Sequence, residues 1–157
     1  MPQIKTVDNE RLFADVERLL DEGDRIRLLV KGYSMRPFLR NERDCVTLSP
    51  LGTRPPRRGM VVLFRYRGKH VLHRIRRIRN DRLVIAGDGN YRVEEHIRPG
   101  DIVACADSIE RNGRSVVYGS FRWRLLTLRS LALKALRTLY HDLRRKARPL
   151  PAAKKKP

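Results

Sequence analysis

The sequence predicts a mainly β domain with flanking helices: a compact antiparallel barrel or sandwich set between an N-terminal amphipathic helix and a C-terminal basic amphipathic helix. Three observations carry this. Six or seven short strand-like runs follow one another, turn residues separate them, and a helical period is confined to the two ends. At 157 residues the chain is one domain's worth, and 41% apolar residues supply a core although 34% are charged.

The first element is a helix over 8–22. Leu12, Phe13, Val16, Leu19 and Leu20 follow helical spacing, Asp8 or Asn9 caps the start, and Gly23 ends it. From Arg25 the period becomes two, with Ile26, Leu28 and Val30 alternating with Arg25, Arg27 and Lys31. That strand runs into Gly32-Tyr33-Ser34-Met35-Arg36-Pro37. Further strands are predicted at 45–48, 60–66, 71–78, 83–86, 102–109 and 115–118, with turns at Asn80-Asp81, Gly87-Asp88-Gly89-Asn90 and Asn112-Gly113. The connection over 51–59 contains Pro55 and Pro56, which forbid a central strand there. Over 121–145, leucines and alanines recur at three- and four-residue steps with arginines between them. The organisation expected is a helix over 1–24, a β domain over 25–120, a basic helix over 121–148 and a disordered basic tail over 149–157.

The formal net charge of +19 is unevenly spread. Residues 1–53 carry 9 basic and 9 acidic side chains, 54–82 carry 11 and 1, 83–120 carry 4 and 6, and 121–157 carry 12 and 1. Two segments therefore hold the whole excess. No secretory leader and no run of about 18 apolar residues is visible, which leads to the expectation of a cytoplasmic protein, peripheral at most on the inner membrane face. Cys45 and Cys105 sit in apolar runs without metal-ligand spacing and are expected as reduced core residues, with no metal and no cofactor.

Three residues supply the parts of serine-based acyl transfer. Ser34 stands where a strand breaks into a turn, His73 lies within a strand, and Asp88 lies in a glycine-flanked loop. Each alone reads as ordinary structure. Together they offer a nucleophile, a base of near-neutral pKa and a carboxylate to fix the imidazole tautomer.

The strings Gly32-Tyr33-Ser34-Met35-Arg36-Pro37-Phe38-Leu39, Arg58-Gly59-Met60-Val61-Val62-Leu63-Phe64, Val71-Leu72-His73-Arg74-Ile75 and Gly87-Asp88-Gly89-Asn90 resemble, in this order, four blocks of the signal-peptidase-like serine peptidases. That superfamily includes the self-cleaving SOS repressors. The resemblance spans roughly residues 28–110 and implies a domain of the signal-peptidase/LexA-like type. It implies Ser34 as nucleophile, with Gly32, Met35 and Pro37 shaping its turn and oxyanion region. His73 fills the position of the base, as in the endoplasmic-reticulum and archaeal-type branch, and Asp88 is the first choice of orienting acid. Lys69, four residues before His73, is the minor alternative base.

The chain also departs from the family pattern. Met60 replaces an Asp of the second block. The histidine branch carries a further acid about six positions after the Gly-Asp-x-Asn loop, where this chain has Glu94 and Glu95 as alternative orienting acids. Gly32 stands where many relatives have a serine that assists the oxyanion, which leaves that role to backbone N–H groups, that of Ser34 first. Without the N-terminal membrane anchor of true signal peptidases, a cytoplasmic enzyme trimming a dedicated peptide or protein precursor is the expected activity.

The basic segments carry the remaining readings. Alternation groups Arg65 with Arg67 and Arg74 with Arg76 as a solvated face or an anion-binding surface. The segment 121–157 fits either a helix packed on the β domain or one lying on an anionic membrane. A non-catalytic protein on the same fold, binding nucleic acid or acting as a membrane-surface adaptor, is the alternative function. Nucleic acid is less favoured because aromatic side chains are only 6% and no recognition motif is present.

Overall fold

The computed structural model describes residues 9–146. Helix α1 (Asn9–Asp21) precedes strands β1 (Ile26–Leu29), β2 (Asp44–Ser49), β3 (Val61–Tyr66), β4 (Lys69–Arg79), β5 (Arg82–Ala86), β6 (Glu95–Ile97), β7 (Ile102–Arg111) and β8 (Arg114–Val117). Helix α2 (Phe121–Lys146) follows. All pairings are antiparallel, in the order β1-β2-β7-β3-β4-β5-β6, with β8 added to β7. The eight-stranded sheet is not closed.

Its centre is β3, hydrogen-bonded to β4 on one side and β7 on the other. Val61, Val62, Leu63 and Phe64 are consequently all buried, and period two divides them between the faces. Val61 and Leu63 join a core with Val16, Leu39, Leu48 and Trp123, whereas Val62 and Phe64 join Ile75, Leu83, Ile85 and Cys105. Each such side chain contributes roughly 1.5–3 kcal/mol through removal from water. The two cores on opposite faces explain why the chain supports one sheet with helices on its margins.

The predicted strands are present, with shifted ends. Strand β4 starts at Lys69 and runs to Arg79, with a bulge between Ile75 and Arg77. Strand β6 was not foreseen, because three residues are too few to display a period; Glu95 and Ile97 point inward around exposed His96. Cys45 and Cys105 are both free, and burial raises the pKa of the Cys105 thiol.

Helix α1 docks through buried Val16 and Leu20, and Phe13 stacks on His70 with centroids 4.3 Å apart. Helix α2 packs on the β domain through Trp123, which meets Phe38 and Tyr118 edge-on. No helix among the described residues is long and apolar enough to cross a membrane. The expected tail over 149–157, the last residues of the expected C-terminal helix and the start of the N-terminal segment lie outside the described residues.

Candidate active site

The turn after β1 is held from several directions. Gly32 adopts a φ of +99°, where a side chain would be strained, and its N–H donates to Asn41 Oδ1 at 2.7 Å. Met35, Phe38 and Leu39 are buried anchors, and Leu39 N–H donates to the Met35 carbonyl at 2.9 Å. Pro37 follows Arg36 through a cis bond. Ser34 sits half-buried on this frame. Among the described residues neither its Oγ nor its N–H has a hydrogen-bond partner.

The Gly87-Asp88-Gly89-Asn90 loop closes directly onto this turn. Gly89 N–H donates to the Ser34 carbonyl at 2.7 Å. A Cβ at Gly87 would stand 2.4 Å from the Ser34 carbonyl oxygen and 3.0 Å from His73 Nε2. One at Gly89 would meet the Tyr33 carbonyl at 2.7 Å. Both glycines are thus required by close approach, and the same contacts show that His73 Nε2 faces the Ser34 turn.

His73 lies on β4, 4% exposed, with Phe64 beside its ring. Its Nδ1 is 3.1 Å from Oε2 of Glu95 on β6, which is itself buried. Glu95, not Asp88, is therefore the carboxylate on the histidine. No hydrogen bond joins Ser34 Oγ to His73 Nε2.

Asp88 is committed elsewhere. Arg74 donates to it from Nε at 3.0 Å and from Nη2 at 2.8 Å, and Ser130 Oγ donates at 2.8 Å. Arg74 also lies over the Phe38 ring and donates from Nη1 to the Gly59 carbonyl at 2.8 Å. This fully buried pair ties β4, the glycine loop, the Phe38 end of the Ser34 turn and α2 together. Glu94 is exposed and pairs with Arg77 at 2.7 Å.

The proposed arginine surface does not form. Arg74 is 1% exposed and bound to Asp88, a placement opposite to the one expected. Arg65 is held by Glu17 of α1, and Arg67 occupies a turn over the Tyr66 ring. Arg76 is half-buried, and burial lowers its pKa. Lys69 is exposed at the start of β4 opposite Tyr66, away from the loop that faces His73 Nε2.

Sequence reasoning missed what α2 brings to the site. Lys134 Nζ donates to the Gly87 carbonyl at 2.6 Å, and Ser130 holds Asp88. Burial, with the Arg76 charge adding to it, holds the Lys134 ammonium below the usual lysine range. The signal was present: Trp123, Thr127, Ser130 and Lys134 recur at four-, three- and four-residue steps on one helix face. It was obscured because this docked face is mostly polar.

An apolar cavity of about 420 Å³, on the Leu63 and Leu72 face of the sheet, is lined in part by Phe13, Leu28, Val30, Leu63, His70 and Leu72. Strand β1 pairs only with β2, and β4 pairs with β5 only from Arg74 onward. Two strand edges without a partner among the described residues therefore border one cavity. One leads in sequence to Ser34 and the other to His73.

The described residues contain no group of three His, Cys, Asp or Glu side chains able to hold a metal ion. Comparison with models of known protein families finds none that matches this chain, and a search of characterised proteins finds no match either.

Proposed function

We propose that the chain is a serine endopeptidase of the signal-peptidase-like class, built on a β domain of that type, which cleaves a peptide or protein precursor. The observation that carries this reading is the buried His73, with Nδ1 on Glu95 and Nε2 turned towards the loop of Ser34. A carboxylate on Nδ1 fixes the tautomer that leaves Nε2 free to accept a proton.

In acylation, Ser34 Oγ adds to the scissile carbonyl while its proton passes to His73 Nε2. Collapse of the adduct breaks the C–N bond, and the proton departs on the new amino terminus. Water then repeats the sequence, releasing the carboxylate product and restoring Ser34. The uncommitted N–H of Ser34 is the donor for the developing oxyanion. An extended substrate would add backbone hydrogen bonds to the open edges of β1 and β4.

Purified Ser34→Ala and His73→Ala proteins are expected to keep the parent's melting behaviour and lose cleavage of a substrate that the parent cuts. Retained cleavage by the Ser34→Ala protein overturns the proposal.

A further inference from the structure

Helix α2 is amphipathic in an unexpected sense: the face it docks is polar, and its leucine face is turned outward. At ~3.6 residues per turn, Phe121, Leu125, Leu128, Leu136, Leu139 and Leu143 fall opposite Trp123, Ser130 and Lys134. These six side chains are between 56% (Leu125) and 79% (Phe121) exposed. An apolar stripe along a 26-residue helix is more than the scattered exposure of an ordinary surface.

Beside this stripe lies a cavity of about 230 Å³ bordered by Arg36, Arg40, Arg43, Arg111, Arg129 and Arg137. Arg111 is paired with Asp44; the other five have no carboxylate partner among the described residues. Five arginines without a carboxylate partner around one small space make it strongly positive, which favours a phosphate, whose oxygens accept guanidinium N–H groups. The cavity shares Arg111 and Leu126 with a neighbouring one of about 500 Å³, which Leu125 of the stripe and Arg122 also line. Phosphate-binding chemistry therefore continues directly into exposed apolar surface.

We infer that α2 and this arginine cavity form a docking surface for a bilayer containing anionic phospholipid, with a lipid phosphate in the cavity and the leucine face in the interface. Charge selects this occupant over a second copy of the chain. The helix carries eight Lys and Arg and a single acid, Asp142, which is already bound to Arg92, so two such faces would repel. An anionic bilayer complements both halves of the surface. Because Lys134 holds the Gly87 carbonyl on the opposite side of α2, docking would place the Gly87-Asp88-Gly89-Asn90 loop about one helix diameter, ~10 Å, above the membrane.

Flotation with phosphatidylcholine vesicles, with and without phosphatidylglycerol, tests this on the full chain. The protein is expected to float only with phosphatidylglycerol present and to be released by salt. Two variants, Leu128→Ser/Leu136→Ser/Leu139→Ser and Arg129→Glu/Arg137→Glu, should each bind at least roughly tenfold more weakly with an unchanged thermal melt. All changed residues are surface or cavity-wall positions, and a Leu→Ala version of the first variant tests the same point with smaller chemical change. Unchanged vesicle binding by both variants overturns the inference. It is equally overturned if inorganic phosphate or a short RNA binds as tightly as the vesicles do, or if the leucine variant abolishes self-association of a protein that does not float.

Discussion

Glu95 Oε2 lies 3.1 Å from His73 Nδ1, joining strands β6 and β4 across the intervening β5 at a point closed to solvent. Both side chains are buried, so the carboxylate is set to orient the imidazole. Glu95→Gln should keep the fold but lower kcat by about 10²–10⁴-fold, because the amide can support the wrong tautomer. Glu94→Gln, at an exposed site paired with Arg77, should leave kcat within about twofold. Steady-state cleavage rates of the two variants decide this assignment.

Asp88 is predicted to matter for stability. Asp88→Ala would strand Arg74 in an interior where it is 1% exposed, a loss of about 3–5 kcal/mol by denaturant titration. Because Ser130 donates to the same carboxylate, Ser130→Ala should weaken the fold by a further-reduced amount, about 1 kcal/mol. A neutral outcome for Asp88→Ala would refute this role.

Gly87→Ala should be far more disruptive than Gly100→Ala. The added methyl at Gly87 meets the Ser34 carbonyl at 2.4 Å and His73 Nε2 at 3.0 Å, whereas nothing lies within 4 Å of one at Gly100. The clash must displace the nucleophile turn or the histidine, so activity should fall before global stability does. Parallel melts and cleavage assays of the two variants test it.

Acid should loosen α1. Hydrogen bonding from Arg65 holds the Glu17 carboxyl at about 2, down from 4.5, with His70 adding to the effect. A depressed carboxyl pKa stabilises the fold above the unfolded value and loses that contribution as pH falls through the folded one. Arg65 is 58% exposed, so solvent limits the gain to about 1 kcal/mol. The stability difference between the parent and Glu17→Gln should therefore persist at neutral pH and disappear between about pH 4.5 and 2 in urea titrations.

Much of this architecture was legible from residue pattern. Period two marked β1, apolar runs between turn residues marked the later strands, and the break after Gly32 that carries Ser34 and the strand position of His73 both follow from these. The acid could not be assigned that way. Asp88 sits in the more conspicuous motif, but its pairing depends on Arg74, whose burial results from β4 lying between two covered faces. Helix α2 misled for a related reason. Leucines ordinarily mark the packed face, whereas here Thr127, Ser130 and Lys134 pack beside Trp123, because their partners are Arg74, Asp88 and a backbone carbonyl. Polar tertiary contacts leave no periodic signature of their own.

The central claim, that Ser34 and His73 form a peptidase centre, is tested most directly by comparing the protein N-termini of cells that carry the parent chain with those of cells that carry Ser34→Ala. The account predicts at least one new N-terminus, generated by internal cleavage of a precursor, that is present with the parent and absent with both Ser34→Ala and His73→Ala. Identical sets of N-termini in cells where the substrate is made would contradict it.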